Sequence, residues 1–320
     1  MTRVAAVDCG TNSIRLLVAD VDPATGSFTE LDRRMTIVRL GQDVDRTGRL
    51  APEALERTFA ACRAYAAAIE ELGAERIRFV ATSASRDAEN SAEFVAGVRD
   101  ILGVEPEVIT GDQEAQLSFD GATKELVGSD HLTKPYLVVD IGGGSTEFVL
   151  GSDQVEAARS VDIGCVRMTE RHLVVDGAVM DPPSHERAAA IRADIDAALD
   201  IAEKTVPLTG AGTLVGAGTL VGLAGTVTTV AGIALELAEY DSGAIHHSRV
   251  SRGQVRAITE HLLRSTHEER AAIPVMHPGR VDVIGAGALV LLAVMERTGA
   301  HEVVVSEHDI LDGIAWSAAG

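Results

Sequence analysis

The chain has 320 residues, which is enough for two domains of ordinary size. Hydrophobic residues make up 46% and charged residues 24%, as in a folded globular protein, and this composition excludes intrinsic disorder. No apolar run reaches the roughly 20 residues of a membrane span, and the N-terminus lacks the layout of a signal peptide. Three scattered cysteines indicate neither a disulfide framework nor a zinc cluster. We therefore expect a cytoplasmic protein.

The net charge of −20 restricts the partners of the protein. Nucleic-acid-binding proteins carry a basic stripe, and the sequence has no block rich in Lys or Arg, so we expect neither nucleic acid nor a membrane as a partner. An anionic ligand must be held locally, by backbone N–H groups, by a few arginines or by a divalent cation.

The first half of the chain predicts a mixed-sheet α/β domain. Three strands come first in hairpin order, and helices then alternate with strands. Pro52 and Gly73 bound the first long helix. The predicted strands span 3–9, 14–21, 27–39, 76–82 and 106–110. The predicted helices span 53–72, 91–102 and 112–126.

The second half begins after a polar stretch at 127–135 and repeats the first start. A buried strand again ends in an Asp and a glycine turn, at Asp140 as at Asp8, and this repetition is a stronger signal than either turn alone. The predicted strands span 136–140, 147–150, 154–161 and 301–305. The predicted helices span 184–204, 230–238, 252–265, 280–298 and 308–318.

Two features of this half leave alternatives open. The tandem Gly-Ala-Gly-Thr-Leu-Val at 210–215 and 216–221 is either a slippage insertion, the simpler interpretation, or a lengthened glycine loop. It leaves undecided which Leu-Val pair lies in the following strand. The apolar segment at 284–295 fits either the core or a homodimer contact, and core is the safer interpretation.

The turn after the first strand contains Gly10, Thr11, Asn12 and Ser13. Small residues let the backbone approach a ligand closely, so that successive N–H groups can point at phosphate oxygens. Asp8, just before the turn, is placed to hold a water or a metal ion. The alternative is a simple hairpin turn with local backbone bonds.

The second turn, after Asp140, is Gly142, Gly143, Gly144, Ser145 and Thr146. Three consecutive glycines exceed what a strand connection needs, because each costs conformational entropy, so they indicate close approach of an anion. Neither turn is a Walker A motif or a dinucleotide fingerprint. A third turn, at Gly225 and Thr226, leads from a strand into an apolar helix, where N–H groups favour an anion; capping by Thr226 is the alternative.

These three turns together resemble the exopolyphosphatase/guanosine pentaphosphate phosphohydrolase (Ppx/GppA) family. The shared segments are Asp-x-Gly-Thr-Asn-Ser-x-Arg, Asp-Ile-Gly-Gly-Gly-Ser-Thr-Glu and Gly-Thr-x-Thr-Thr, in this order. Further segments similar to the family's lie at 81–90, 109–115, 163–167 and 280–284. The resemblance covers residues 3 to about 316 and matches the short, two-domain form of the family.

The resemblance implies an α/β fold of two ribonuclease-H-like domains of the actin–hexokinase superfamily around a central cleft. The first domain would span 1–126 and the second 127–307, with the terminal helix at 308–320 packing back on the first. The repeated strand–Asp–glycine start, taken from the residues alone, agrees with two such domains.

The resemblance also implies hydrolysis of terminal phosphates, with Glu114 orienting or deprotonating the attacking water. Gln113 stands where the family has a second acid, so a single carboxylate is available there. Without the resemblance, Glu114 would be an ordinary acid in the first turn of a helix. Arg86 and Arg167 are candidate phosphate clamps, because a guanidinium pairs bidentately with phosphate; otherwise they would be surface ion-pair partners.

Mg²⁺ or another divalent cation is the expected cofactor, since it would offset the charge that develops in phosphoryl transfer. Asp140 is the first candidate ligand, with Glu147 and Asp8 as further ones. His246 and His247 are left out of the site, because adjacent histidines usually point apart.

Several functions fit these residues. An exopolyphosphatase that releases orthophosphate from polyphosphate comes first, with short chains favoured because the acidic chain offers no basic groove. A pppGpp 5′-phosphohydrolase of the same family comes second. A non-catalytic alarmone or nucleotide sensor, and a sugar kinase or actin-like ATPase, are alternatives of other classes. A long polyphosphate would need a basic groove, and for this the second half offers only scattered arginines: Arg249, Arg252, Arg256, Arg264 and Arg280.

Overall fold

A computed structural model of the chain describes residues 1–124, 132–175, 178–209 and 218–320. The chain divides into two compact units. Unit 1 is Met1–Lys124 with His308–Gly320, and unit 2 is Glu125–Glu307. Among the described residues, no helix combines the length and the apolar character needed to cross a membrane.

Unit 1 contains five strands and the helices that cover their sheet. The strands are β1 (Thr2–Cys9), β2 (Ser13–Asp22), β3 (Ser27–Ile37), β4 (Arg76–Ala81) and β5 (Glu107–Val108). The helices are α1 (Val44–Thr47), α2 (Pro52–Leu72), α3 (Ser83–Asp87), α4 (Ser91–Leu102), α5 (Gly111–Thr123) and, numbered in chain order, the terminal α13 (Ile310–Ala319). The sheet order is β3-β2-β1-β4-β5, with antiparallel hairpins among β1–β3 and parallel pairing of β1, β4 and β5.

Alternation along β1 divides the core of unit 1 into two layers. Val7 and Cys9 lie in a core formed with α2 and α4, whereas Val4 and Ala6 lie in a second core formed with α5 and α13. Because successive side chains of a strand point to opposite faces, Asp8 lies on the side that α5 and α13 cover.

Two glycines bring α5 and α13 into backbone contact. A Cβ atom on Gly121 would lie 1.8 Å from the carbonyl oxygen of Asp309, and one on Gly313 would lie 2.0 Å from the carbonyl oxygen of Leu117. Both separations are far below any contact that a real Cβ atom makes. The terminal helix is therefore seated directly on the helix that carries Glu114.

Unit 2 contains a six-stranded sheet with the order β12-β13-β11-β6-β7-β8. Its strands are β6 (Tyr136–Ile141), β7 (Thr146–Gly151), β8 (Val155–Val161), β11 (Thr219–Leu223), β12 (Arg249–Ser251) and β13 (Glu302–Val305), and β9 (Val174–Val175) pairs separately with β10 (Ala178–Val179). The helices are α6 (Cys165–Leu173), α7 (His185–Glu203), α8 (Ala224–Ala234), α9 (Ser242–Ile245), α10 (Arg252–Arg264), α11 (His267–Ala271) and α12 (Ile284–Thr298).

The core of unit 2 lies on one face of this sheet. Val139 and Ile141 of β6 pack there with apolar residues of α7, α10 and α12. Asp140 lies between these two residues in the strand and therefore on the opposite face. The apolar residues of α12 are buried within unit 2, which accounts for their composition without a second subunit.

The third glycine turn lies at the N-terminus of a helix after a strand, as the sequence predicted, but the helix begins earlier than expected. Strand β11 ends at Leu223 and α8 begins at Ala224, so Gly225 and Thr226 lie in the first turn of the helix, which we had expected only from 230. Ala224 adopts a φ of 66°, a left-handed conformation that is costly for alanine. This residue lets the chain pass from strand to helix without a connecting loop.

The tandem repeat is covered only in part. Residues 210–217, which hold the first copy and the start of the second, lie outside the described residues. Within the described part, Leu220 and Val221 lie in β11, so the Leu-Val pair of the second copy occupies the strand.

Candidate functional site

The first glycine turn, 10–13, is held by its carbonyl groups. The N–H of Gly10 donates to the carbonyl of Ser13 at 3.0 Å. The carbonyl of Asn12 accepts from the N–H groups of Val38 and Arg39 at 3.0 and 2.8 Å. The N–H groups of Thr11 and Asn12, in contrast, donate to no described group. A turn with occupied carbonyls and two unused donors is suited to an anion.

Side chains also fix this turn. The hydroxyl groups of Thr11 and Ser83 share a buried hydrogen bond of 2.8 Å, which ties the turn to α3. A Cβ atom on Gly41 would lie 2.2 Å from the methyl group of Thr11, so glycine is required there. The side-chain oxygen of Asn12 and the hydroxyl of Ser85 are buried without a described partner, and both are groups that a bound ligand or water would satisfy.

Helix α3 also carries Arg86, which contacts the predicted catalytic acid. The Nη1 atom of Arg86 donates to the carbonyl of Ile109 at 3.0 Å and to Oε2 of Glu114 at 3.3 Å. The side chain of Glu114 is 11% exposed. This contact with Arg86 and the near-complete burial of the side chain restrict the orientation of the Glu114 carboxylate.

Gln113 has a structural role beside Glu114. Its side-chain oxygen accepts from the N–H of Thr110 at 2.9 Å, and the Thr110 hydroxyl accepts from the N–H of Gln113, which forms a capping box at the start of α5. The residue that replaces the family's second acid therefore fixes the helix from which Glu114 projects.

Asp8 faces an arginine on the neighbouring strand. Asp8 and Arg15 are directly opposite in the β1–β2 pair, and Nη2 of Arg15 donates to Oδ2 of Asp8 at 2.7 Å. Burial raises the pKa of Asp8, and the charge of Arg15 acts against this increase. Unit 1 thus brings Asp8, the first turn, Arg86 and Glu114 to neighbouring elements of one sheet end.

The second glycine turn, 142–146, repeats the arrangement of the first. The N–H of Gly142 donates to the carbonyl of Ser145 at 3.1 Å. The carbonyl of Gly142 accepts from the N–H of Cys165, and that of Gly143 accepts from the N–H of Val166. The N–H groups of Gly143, Gly144 and Ser145 donate to no described group. Three consecutive donors are therefore available to a ligand.

The start of α6 is in close backbone contact with this turn. A Cβ atom on Gly164 would lie 2.3 Å from the carbonyl oxygen of Gly143, so only glycine allows the approach. The Nε atom of Arg167 donates to the carbonyl of Gly144 at 2.8 Å. Thr146 is fully buried, and its hydroxyl donates to the carbonyl of Ile163, so this hydroxyl holds the turn in place.

The predicted metal ligands of unit 2 lie side by side. Asp140 and Glu147 are directly opposite in the β6–β7 pair, and both are buried. Cross-strand neighbours have Cβ atoms about 5 Å apart, so the two acidic side chains lie on the same face of the sheet. The hydroxyl of Ser160 donates to Oε1 of Glu147 at 2.7 Å. Oxygen ligands of this kind are those that Mg²⁺ prefers.

The third turn contacts Arg280, which begins the family-like segment 280–284 but was not among the predicted site residues. The Nη1 atom of Arg280 donates to the carbonyl of Gly225 at 3.0 Å and to the hydroxyl of Thr229 at 2.9 Å. A Cβ atom on Gly225 would lie 2.2 Å from this guanidinium. Arg280 is the last residue of the 3₁₀ turn Pro278–Arg280. It lies more than fifty positions beyond Gly225 and Thr229 in the chain, so only the fold reveals these contacts.

Thr226 connects the third turn to α6. It forms a side-chain hydrogen bond with Cys165, whose pKa is raised chiefly by burial. A Cβ atom on Gly287 would lie 2.7 Å from Thr226 and 3.0 Å from Cys165. Since Cys165 also donates to Gly142, the second and third turns belong to one packed group in unit 2.

The expectation that His246 and His247 point apart is wrong. Their rings stack with centroids 3.7 Å apart and an interplanar angle of 29°. His247 adopts a φ of 62°, which makes this arrangement accessible. The Nδ1 atom of His246 accepts from the N–H of Glu307 at 3.1 Å, which ties the pair to the end of β13.

Comparison with known proteins shows the family of this chain. The profile of the Ppx/GppA phosphatase family matches residues 17–319. The chain is 49% identical over 331 aligned residues to exopolyphosphatase 2 of Mycobacterium tuberculosis, covering 100% of this chain and 99% of that protein. It is 31% identical to a bifunctional 3-dehydroquinate synthase/phosphatase of Fusobacterium nucleatum, over 97% of this chain and 45% of that longer protein.

Solved structures agree with this result. A crystal structure of an exopolyphosphatase-like protein superimposes with a TM-score of 0.91 at 44% identity, covering 99% of both chains. The crystal structure of a Ppx/GppA family member from Aquifex aeolicus gives a TM-score of 0.78 at 30% identity, covering 99% of this chain and 97% of that one. The fold class predicted from the sequence is thereby confirmed.

Proposed function

The chain belongs to the Ppx/GppA phosphatase family, and we propose that it is an exopolyphosphatase that releases orthophosphate from the end of short polyphosphate chains. One observation carries the proposal: both Asp-led turns use their carbonyl groups inside the protein and leave consecutive N–H groups without a described acceptor. Such turns bind phosphate oxygens without positive charge on the protein, as a chain with a net charge of −20 requires.

Polyphosphate is the substrate that the relatives favour. The Mycobacterium tuberculosis relative, which matches over its full length, is named exopolyphosphatase 2, and the pppGpp alternative is not favoured. A long polyanion would need an extended basic groove, whereas several of the scattered arginines are paired with acids, as Arg256 is with Glu296. Short chains are therefore the expected substrates. A cytoplasmic location remains part of the proposal.

Glu114 is the residue that we assign to the attacking water. Its carboxylate is nearly buried and held by Arg86 at 3.3 Å, so its orientation is fixed before a substrate arrives. A general base positioned in this way contributes about 10²–10⁴-fold to the rate. Arg86 and Arg167 are proposed to bind phosphate oxygens, because a guanidinium pairs bidentately with phosphate.

A divalent cation, Mg²⁺ in the first place, is proposed as the cofactor. Within the described parts of the chain no group of three or more His, Cys, Asp or Glu side chains forms a metal site, but Asp140 and Glu147 are cross-strand neighbours in unit 2, and Asp8 is a separate candidate ligand in unit 1. Mg²⁺ is commonly held by one or two carboxylates together with substrate phosphates and water. Once bound, the cation would neutralise charge on the transferred phosphoryl group.

The test is phosphate release from a panel of substrates with Mg²⁺: inorganic tripolyphosphate, long-chain polyphosphate, pppGpp and ATP. We expect the highest kcat/KM for tripolyphosphate, a lower value for long chains, and little release from pppGpp and ATP. Preferential hydrolysis of pppGpp would replace the proposed substrate. Binding of these compounds without release from any of them would support the sensor instead.

A further inference from the structure

The carboxylate of Asp8 is engaged on one oxygen only. Both the Nε and Nη2 atoms of Arg15 donate to Oδ2 of Asp8, at 3.0 and 2.7 Å. Oδ1 accepts from none of the described groups. Asp8 is only 4% exposed, so its carboxylate is oriented by a rigid partner that leaves one oxygen for another ligand.

Arg15 has a second acidic partner, which comes from the terminal helix. Its Nη1 atom donates to Oδ2 of Asp309, which is itself 3% exposed. Oδ1 of Asp309 accepts from the N–H of Leu311 at 3.0 Å and caps the start of α13. The guanidinium therefore lies between two buried carboxylates, one at the end of β1 and one at the start of α13.

The position of Asp309 is itself restrained. Its carbonyl oxygen lies against Gly121 of α5, where no larger residue fits. Asp312, one turn further along α13, accepts from Arg33 of β3 at 2.6 Å. Two contacts besides Arg15 thus prevent the start of α13 from moving relative to the sheet, and Arg15 is held on both sides.

The charges of Asp8, Arg15 and Asp309 together suggest what this arrangement does. Arg15 alone would cancel the charge of Asp8 and leave the pair with no net charge to attract a cation. With Asp309 on the far side of Arg15, the three side chains carry one net negative charge. In a site with little water, one unit of charge changes the attraction for a divalent cation considerably.

We propose that Arg15 and Asp309 are positioning residues for Asp8, which fix its Oδ2 atom and leave Oδ1, with a net negative charge behind it, to bind a divalent cation. This inference rests on the proposed function for the identity of the ligand. It assigns the terminal helix a role in the site, through a residue almost the whole length of the chain away from Asp8.

The test is the variant Asp309→Asn, because asparagine still caps the helix but lacks the charge. Binding of Mn²⁺ to the full chain without substrate would be followed by electron paramagnetic resonance. We expect at least a fivefold loss of Mn²⁺ affinity in this variant. Asp309→Glu, which keeps the charge, should restore most of the affinity. The matched control is Asp20→Asn. Asp20 lies on β2, as Arg15 does, and its carboxylate pairs with Arg3, so this variant removes a charge from the same strand and should leave Mn²⁺ binding unchanged.

Kinetics supply the second measurement. The Mg²⁺ concentration for half-maximal hydrolysis should rise at least fivefold in Asp309→Asn, while kcat at saturating Mg²⁺ stays within about twofold of the parent. If that variant fails to fold, as judged by circular dichroism, Asp309→Ser replaces it, since serine also caps a helix without charge.

Unchanged Mn²⁺ affinity in a folded, uncharged variant would overturn the inference, and so would a parent protein that binds no Mn²⁺. An altered Mn²⁺ affinity in a protein that hydrolyses no polyphosphate would uphold the inference and reject the proposed function alone.

Discussion

The two Asp-led turns share a backbone design but differ in the residue across the hairpin. In unit 1 the residue opposite Asp8 is Arg15, and in unit 2 the residue opposite Asp140 is Glu147. In both turns the carbonyls bond within the protein and successive N–H groups do not. The repeated motif therefore sets the anion-binding geometry, while the cross-strand partner sets the local charge.

This difference separates two tasks. The acid pair of unit 2 concentrates negative charge and suits a cation. In unit 1, Arg15 forms ion pairs with both Asp8 and Asp309, so these three side chains form one charged group beside the first turn. Glu114 lies on α5 of the same unit. The two hairpins therefore place different charges beside similar turns.

The largest expected effect concerns Glu114. Glu114→Gln keeps the shape of the side chain and its contact with Arg86 but removes the basic carboxylate, so kcat for tripolyphosphate should fall about 10²–10⁴-fold. The neighbouring control Gln113→Ala should lose only about 1 kcal/mol of stability from the capping box and keep kcat within a few fold. Near-full hydrolysis by a folded Glu114→Gln protein would remove unit 1 from the chemistry.

The next effect concerns the seat of the terminal helix in unit 1. Gly313→Ala places a methyl group 2.0 Å from the carbonyl oxygen of Leu117, so the free energy of unfolding should fall by about 3 kcal/mol. The matched control is Gly285→Ala in α12, where the nearest atom is an ordinary 3.4 Å away and alanine should be neutral or add up to about 1 kcal/mol. Equal denaturation midpoints for the two variants would contradict the backbone contact.

The third effect is the pH dependence of the Asp312 ion pair. Burial acts to raise the pKa of Asp312, but the hydrogen bond to His308 and the charge of Arg33 lower it from 3.8 to about 2. A lowered pKa stabilises the fold above the unfolded value and loses that contribution as the pH falls through the folded value.

Asp312→Asn should therefore lower the free energy of unfolding by roughly 2 kcal/mol at neutral pH. The difference from the parent should shrink between about pH 4 and about pH 2, as measured by denaturant titrations at several pH values. Asp32→Asn, at the exposed ion pair with Arg34, should show a small difference at every pH. A difference for Asp312→Asn that grows on acidification would have the wrong sign for this account.

The smallest expected effect addresses the cation in unit 2. Asp140→Asn leaves Glu147 as a lone carboxylate, so the Mg²⁺ concentration for half-maximal hydrolysis should rise about tenfold, equivalent to about 1.4 kcal/mol. The control Asp153→Asn removes an acid that is 81% exposed and paired with Lys134. If both variants shift the Mg²⁺ dependence equally, the effect is one of general charge and the assignment of Asp140 is wrong.

The sequence predicted the features that depend on local residues. Repetition of an Asp-led glycine turn predicted two turns of similar backbone hydrogen bonding, and Pro52 correctly marked the start of α2. The short helices that carry Arg86 and Arg167 were missed. Their five and nine residues show little periodicity, and contacts with distant residues such as Thr11 and Gly143 hold them in place.

The ion pairs were the feature that the sequence predicted least well. Arg15 and Asp309 are 294 positions apart, and no pattern along the chain links them. The start of α8 was misplaced because the strained Ala224 removes the loop that a strand and a helix usually need. Local sequence patterns therefore predicted where the glycine turns lie, but not which charged side chains surround them.

The most direct test of the central claim is phosphorus NMR of a polyphosphate of defined length during hydrolysis by the parent protein with Mg²⁺. Orthophosphate, terminal phosphate and internal phosphate give separate signals. We predict that orthophosphate rises from the first turnovers while the terminal signal stays constant and the internal signal declines. A terminal signal that rises before orthophosphate would indicate cleavage within the chain and would contradict exopolyphosphatase action.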